Sequence, residues 1–282
     1  MKIYCVIPTY NEERFIAQTL ESLVNQTFIP EKIVVVNDNS TDGTAEIVEA
    51  FTKKYAFIEQ VHHVSESKHL PGSKVIRAFQ KGFEELDSEF DIVVKLDSDL
   101  ILPKNYFEKI VAVFQSDHQV GMVGGVAYIE KKGRWILENL TDKDHVRGAF
   151  KAYRKKCFEE IGGLKPAMGW DTVDELLGRF YKWKIVVLPN LVVKHLKPTG
   201  STYAKRASYK QGEAFYTLGY GFWITIIASL KLSILKRKPL LFIDYLKGFF
   251  KAKVNGKSLL VTEEQAKFIR AYRWRKIREK LF

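Results

Sequence analysis

Three short apolar runs, residues 3–7, 32–36 and 92–96, and a strand-like segment near 57–61 punctuate the first hundred residues, and each interval between them holds one segment of helical periodicity. The helical intervals are residues 13–25, 44–55 and 74–86. In the first, Phe15, Ile16, Leu20 and Leu23 recur at the spacing of one helix face. Strands separated by single helices are joined by right-handed crossovers, so this pattern predicts βαβ units and a mostly parallel sheet with helices packed on it. A length of 282 residues leaves room for one large α/β domain and an appendage. No internal repeat or low-complexity linker divides the first half.

The alternation continues less regularly. Residues 106–115 read as a helix, 120–126 as a strand, 150–154 as a strand and 156–162 as a short helix stopped by Gly162-Gly163. A helix over 174–183 and a strand over 185–188 follow, and residues 130–146 read as a polar, charged excursion. After Pro198-Thr199-Gly200 the chain becomes aromatic, then apolar, then basic. The predicted division is an α/β domain over residues 1–200 and a helical basic extension over 201–282.

The formal charge of +12 belongs almost wholly to the extension. Residues 231–282 carry 15 Lys and Arg against 4 Asp and Glu, whereas the preceding 230 residues carry 30 against 29. Cys5 and Cys157 are too far apart in sequence to suggest a disulfide framework or a zinc site, which fits a reducing cytoplasm. The chain opens on a strand, so no secretory or transit segment is expected.

Chemistry concentrates where predicted strands end. Asp97-Ser98-Asp99 follows an apolar strand, and in an extended segment residues i and i+2 point to one side. Two carboxylates at the carboxyl end of a parallel strand suit a Mg²⁺ or Mn²⁺ ion that also grips phosphates. A loop in which Asp99 caps the next helix reads equally well from these residues alone. Pro8-Thr9-Tyr10-Asn11-Glu12 follows the first strand, with Tyr10 able to stack on a base and Thr9 and Glu12 able to bond to base or ribose. Asn11 or Thr9 as a helix cap is the plainer alternative. Asn37-Asp38 ends the second strand, where a carboxylate can hold a nucleoside, while Ser40-Thr41-Asp42-Gly43 has turn and cap chemistry. No glycine-rich dinucleotide or Walker-type loop is present. Farther on, Trp170-Asp171-Thr172-Val173-Asp174-Glu175 gathers three acids at a helix start, where an ionised Asp is a usable proton acceptor or simply a cap.

In this order these segments resemble glycosyltransferase family 2, the inverting enzymes of the GT-A fold, with Phe158-Glu159-Glu160-Ile161-Gly162-Gly163-Leu164 completing the pattern. The resemblance covers about residues 1–200 and implies a catalytic domain there, with a nucleotide-sugar-binding half, 1–103, and an acceptor-binding half, 104–200. It implies a nucleotide-diphosphate sugar donor, a UDP- or GDP-sugar, with Mg²⁺ or Mn²⁺. It also implies donor contacts by Pro8, Thr9, Tyr10, Glu12, Asp38, Lys74, Asp97 and Ser98, and metal ligation by Asp99 and His195. Asp171 falls at the family's base position, with Asp174 as the alternative, because the Trp-Asp-Thr-Val-Asp-Glu segment departs from the usual Glu-Asp pattern. Asn37 replaces the usual first Asp after the second strand. Processive members carry Gln-x-x-Arg-Trp soon after the base. Here only Arg270-Ala271-Tyr272-Arg273-Trp274 is similar, about a hundred residues later, so transfer is expected to be non-processive.

Residues 214–230 contain no charge but reach only the short limit for a membrane span. Aromatic and apolar residues followed by lysines fit helices lying at an anionic membrane surface. The expected protein is cytoplasmic and peripheral on the inner face of the membrane, meeting a glycan or lipid-linked acceptor there. Packing of these helices on the catalytic domain or on a second subunit is the alternative. A sugar nucleotidyltransferase lacks support because no glycine-rich basic loop follows the first strand. Nucleic acid is not an expected partner, because the basic tail carries no reader motif.

Overall fold

The first strand, β1 (Ile3–Thr9), is buried along its whole length because it is hydrogen-bonded on both edges and covered on both faces. The computed structural model describes residues 1–65, 72–138, 144–197 and 208–281. β1 pairs in parallel with β2 (Lys32–Asp38) on one side and β4 (Ile92–Leu96) on the other, and β2 pairs in parallel with β3 (Ile58–His63). Side chains alternate along these strands. Ile3, Cys5 and Ile7 join Ile33, Val35, Val94 and Leu96 under α1 (Ile16–Val24) and α2 (Thr44–Lys54). Tyr4, Val6, Val34, Val36 and Val93 face α3 (Ser73–Glu84) on the other side. Burial on both faces is why β1, β2 and β4 read as apolar runs, whereas β3, paired on one edge to β2, is partly exposed and reads Ile-Glu-Gln-Val-His-His.

The second half extends the same sheet with mixed direction. After β5 (Leu100–Ile101) and α4 (Tyr106–Ser116), the long β6 (Val120–Lys131) turns at Lys132-Gly133 into β7 (Arg134–Leu137). β8 (Phe150–Arg154) lies antiparallel between β4 and β6, and α5 (Lys155–Glu160) leads to α6 (Trp170–Phe180) and β9 (Lys184–His195). The nine strands run β3-β2-β1-β4-β8-β6-β9-β5, with β7 paired to β6. This is the predicted α/β architecture.

Three local readings are corrected. The excursion over 130–146 contains the hairpin arm β7, closed by Lys132 and Gly133, both at positive φ. That is the backbone of a tight twisted hairpin, and Lys-Gly lacks the Asn or Asp that usually advertises it. The helix read over 174–183 begins four residues earlier, at Trp170, because Gly169 takes a left-handed conformation as its N-cap (φ +83°). The strand read over 185–188 runs on through Pro189 to His195. Residues 139–143 of the excursion and the Pro198–Gly200 breakpoint lie outside the described residues.

The uncharged stretch over 214–230 does not form one helix. It is split between α7 (Ser208–Thr217) and α8 (Gly221–Leu235), and α9 (Leu240–Val254) and α10 (Glu263–Leu281) follow. Among the described residues no helix is long and apolar enough to cross a membrane. Phe215, Leu218, Tyr220, Ile224, Phe249 and Ile269 join the core on the α3–α6 face of the sheet. α10 is a packing helix: Phe268 meets Phe180 edge-on at 5.5 Å, and the Arg273 guanidinium donates to the Tyr220 hydroxyl.

Candidate active site

The sheet's strand order reverses at β1, whose neighbours are β2 and β4, and the loops beyond their carboxyl ends are where open α/β sheets form their ligand crevice. The loops after β1 and β2 are joined to each other. The Asn11 amide donates to Ser40 Oγ, the Thr41 amide donates to Asn11 Oδ1 at 2.8 Å, and the Glu12 amide donates to Thr44 Oγ1 at 2.8 Å. Asn11 sits at φ +52°, so it stitches loops rather than capping α1. The turn chemistry read in Ser40–Gly43 is therefore structural, and it fixes Pro8–Glu12 relative to Asp38. Tyr10 is left 58% exposed, a free ring at the crevice rim, whereas Thr9 is buried and donates to the Ile7 carbonyl. Asp38 is buried and accepts the Ser65 amide at 2.8 Å. Lys74 stands half-buried in the first turn of α3.

Beyond β4 the chain bends, and the bend is pinned. The Thr19 hydroxyl donates to the Ser98 carbonyl at 2.9 Å and accepts the Leu100 amide at 3.0 Å. The Asp97 amide donates to the Ala149 carbonyl at 2.7 Å. The register between β5 and β9 sets Leu100 opposite His195, which brings His195 Nε2 to 3.4 Å from Asp99 Oδ1. One ligand atom each from Asp97, Asp99 and His195 lies within 4.8 Å of the others. This convergence comes from a bend and a strand pairing rather than from an extended Asp97–Asp99 segment. Asp97, a donor contact by the resemblance, thus also stands among groups that could hold an ion.

Two carboxylates and an imidazole suit Mn²⁺ or Mg²⁺, so the donor set fits the ion that the resemblance implies. Burial disfavours a charged imidazole, but Asp99 and Glu138 outweigh it and push His195 up to about 9. The pocket therefore favours positive charge, and a divalent ion would replace that proton. Glu138, at the end of the hairpin arm, pairs with Arg147 at 2.8 Å and sits 3.6 Å from His195 Nδ1. Neither was singled out in the sequence, because the hairpin that delivers Glu138 was not recognised. Lys95, buried in β4, reaches Asp97 and stands 5.3 Å from the Trp170 ring, tying the acid pair to the start of α6. Glu12 pairs with Lys197, yet its Oε2 is buried with no hydrogen-bond partner, leaving an acceptor available to a donor group in the crevice.

The acids of α6 separate sharply. Asp171 is 38% exposed and lies 3.6 Å from His145 Nε2. Burial pushes its carboxyl up, but the His145 contact and charge, with Lys151 beyond, hold it down to about 2. His145 is driven up to about 9, because Asp171 and Glu175 outweigh its burial. Asp174 and Glu175 instead point into the core around Lys151, which is fully buried. Its ammonium donates to Asp174 at 3.0 Å, to Glu175 at 3.1 Å and to the Asp171 carbonyl at 2.8 Å. The Tyr153 hydroxyl donates to Asp174 at 2.6 Å. Asp174 thus belongs to a buried network, and only Asp171 offers a carboxylate to solvent at this helix start. No Lys or Tyr in β8 stood out in the sequence, because both alternate with apolar residues in an ordinary-looking strand.

A family model described as Glycosyl transferase family 2 matches residues 4–166, more than half of the chain. A Bacillus subtilis (strain 168) protein named Probable glycosyltransferase YdaM is 35% identical over 205 residues, covering 64% of this chain and 46% of that one. This chain spans about half the length of several curated relatives it matches. Among solved structures, a mannosyltransferase from Pyrobaculum calidifontis in complex with GDP-Man and Mn²⁺ superposes with a TM-score of 0.61. It shares 16% identity, over 96% of this chain and 79% of that one. S. aureus TarS 1-349 in complex with UDP-GlcNAc gives a TM-score of 0.58 at 21% identity, over 95% of this chain and 78% of that one. At such identities the structural likeness speaks for the fold.

Proposed function

This chain belongs to glycosyl transferase family 2, and from that premise we propose that it transfers one sugar at a time, with inversion, from a UDP- or GDP-sugar to an acceptor hydroxyl on a glycan or lipid-linked molecule at a membrane surface. The observation that carries this reading is the convergence of Asp97, Asp99 and His195; Asp171 supplies an ionised carboxylate at the start of α6, whose Trp170 ring lies 5.3 Å from the Lys95 that reaches Asp97. Tyr10 and Asp38 bind the nucleoside in this reading, with Thr9, Glu12, Lys74 and Ser98 shaping the donor pocket around them.

Asp99 and His195, with Asp97 beside them, would hold a Mn²⁺ or Mg²⁺ ion. When bound, it neutralises charge on the diphosphate. Asp171 accepts the proton of the acceptor hydroxyl as that oxygen attacks the anomeric carbon. The bond from that carbon to the diphosphate oxygen breaks in the same step, and the nucleoside diphosphate departs. In-line displacement from the opposite face inverts the anomeric centre. Lys151 fixes the backbone of Asp171 through its carbonyl, and His145 steadies the carboxylate. The Arg270–Trp274 segment, the nearest likeness to the processive motif, lies on α10, away from α6's first turn in sequence and engaged in packing, which supports single transfers.

Incubation with a panel of nucleotide sugars and Mn²⁺ or Mg²⁺ tests this. Release of nucleoside diphosphate from one UDP- or GDP-sugar is expected. Release of pyrophosphate instead would reassign the chain to nucleotidyl transfer.

A further inference from the structure

α8 is built inside out for a helix in water. Its buried face carries Thr225, Ser229 and Ser233 alongside Ile224, while Phe222, Trp223, Ile227, Leu230, Ile234 and Leu235 are exposed. Trp223, Ile227, Leu230 and Ile234 follow the four-three-four spacing of one helix face. Trp223 and Ile234 are each 67% exposed. Soluble helices show the reverse arrangement, with the apolar stripe inward. The Ser229 hydroxyl is buried without a hydrogen-bond partner, and Thr225 donates to its own helix at the Gly221 carbonyl.

α9 prolongs this face. Leu240, Ile243, Phe250 and Val254 are exposed, Val254 at 83%. α9 meets α7 backbone to backbone at Gly212 and Gly248: a Cβ on Gly212 would lie 1.7 Å from the Tyr245 carbonyl oxygen, and one on Gly248 would lie 1.9 Å from that of Tyr209. Close crossings through small residues, with large apolar side chains turned outward, are how helices pack in lipid. Phe222 and Phe250 also wall a cavity of about 490 Å³ that is lined by Phe249, Leu259, Lys253 and Arg270.

Charge decides what covers the face. Residues 231–254 hold seven Lys and Arg against one acid, Asp244. Lys231, Lys236, Arg237, Lys238, Lys247, Lys251 and Lys253 are exposed around and between the apolar side chains. A second copy docked on this face by two-fold symmetry would set those cations against their equivalents. An anionic bilayer satisfies both components, taking the apolar side chains into its boundary and the cations among its headgroups. Neither helix is long enough to span.

We propose that the exposed face of α8 and α9 docks flat on an anionic membrane surface, with Trp223, Leu230, Ile234 and Val254 as the inserted side chains. The docking stands on these helices alone. Its purpose, bringing the crevice to a lipid-linked acceptor, rests on the function proposed above. The contact is carried by α8 and α9, whereas α10, with seven Lys and Arg of its own, packs against α6 and α8.

Co-sedimentation of the whole chain with phosphatidylcholine vesicles, with and without about 30% phosphatidylglycerol, tests the face. The parent chain is expected to pellet with the anionic vesicles and much less with the neutral ones. Trp223→Ser with Leu230→Ser and Ile234→Ser should weaken that binding at least about tenfold. Lys238→Glu with Lys247→Glu should weaken it severalfold and blunt its salt dependence. These positions are exposed, so calorimetric binding of UDP or GDP with Mn²⁺ should be unchanged in both variants. Equal sedimentation of parent and variants overturns the docking, as does a parent that stays in the supernatant. So does a concentration-dependent dimer that the triple variant dissolves. Vesicle binding in a parent that binds neither nucleotide would leave the docking intact and defeat the transferase reading alone.

Discussion

Asp171→Asn should slow sugar transfer by roughly three orders of magnitude, the middle of the range for loss of a positioned general base. The fold should survive, because Lys151 grips the Asp171 backbone carbonyl rather than its carboxylate, and that carboxylate is partly open to solvent. Donor binding should survive too, since Asp171 is not among the groups that converge with Asp99. The pH profile carries a second signature. Asp171 is held at about 2 and His145 at about 9, so both stay charged between those limits. Stability from Asp171 is present above its unfolded value and is lost as pH falls through about 2. That from His145 is complete below its unfolded value and is lost as pH rises through about 9. Transfer should therefore show no acid limb from Asp171 at pH 5–8. In His145→Gln the carboxyl loses its cation, and its acid limb should move upward. Normal turnover in Asp171→Asn, with collapse in a folded Asp174→Asn, would move the base to Asp174.

The largest stability loss is expected at Lys151, which has no contact with solvent. Removing a buried cation strands Asp174 and Glu175 together, and breaking such a pair typically costs about 3–5 kcal/mol. Burial works against ionising Glu175, but Lys151 and His145 hold it below its ordinary range. Asp174, more dominated by burial, is pushed above its own range even beside Lys151. Lys151→Met should thus unfold at far lower denaturant than the parent, measured by urea denaturation. Adding Asp174→Asn should recover part of the loss, because one stranded charge is gone. Additive losses would mean that the pair does not share the lysine's charge.

Strands β1, β2 and β4 were legible because they are buried on both faces, which leaves a short apolar run in the sequence. Asp97 and Asp99 were legible for the same reason: polarity breaks abruptly where β4 ends. What the sequence concealed were relationships fixed by register. His195 reaches Asp99 only because β9 pairs with the two-residue strand β5, too short to leave a pattern. Glu138 arrives through a hairpin closed by Lys-Gly, and Lys95 and Lys151 look like solvent-facing positions of strands whose both faces are covered. The three acids of α6 could not be ranked from spacing, since their roles depend on Lys151 across the sheet. The apolar 214–230 stretch showed how much hydrophobicity was present, but its inverted distribution on α8 appears only once the buried hydroxyl face is known.

The crevice as a metal-dependent donor site is most directly tested by calorimetric titration of UDP and GDP into the whole chain. Titrations with Mn²⁺, with EDTA and in an Asp99→Asn background separate the ion's part from the protein's. One nucleotide should bind with Mn²⁺ present, lose at least about tenfold in affinity in EDTA, and lose a similar factor in Asp99→Asn with Mn²⁺ restored. Equal affinity under all three conditions would contradict the assignment of Asp97, Asp99 and His195 to a metal-held diphosphate.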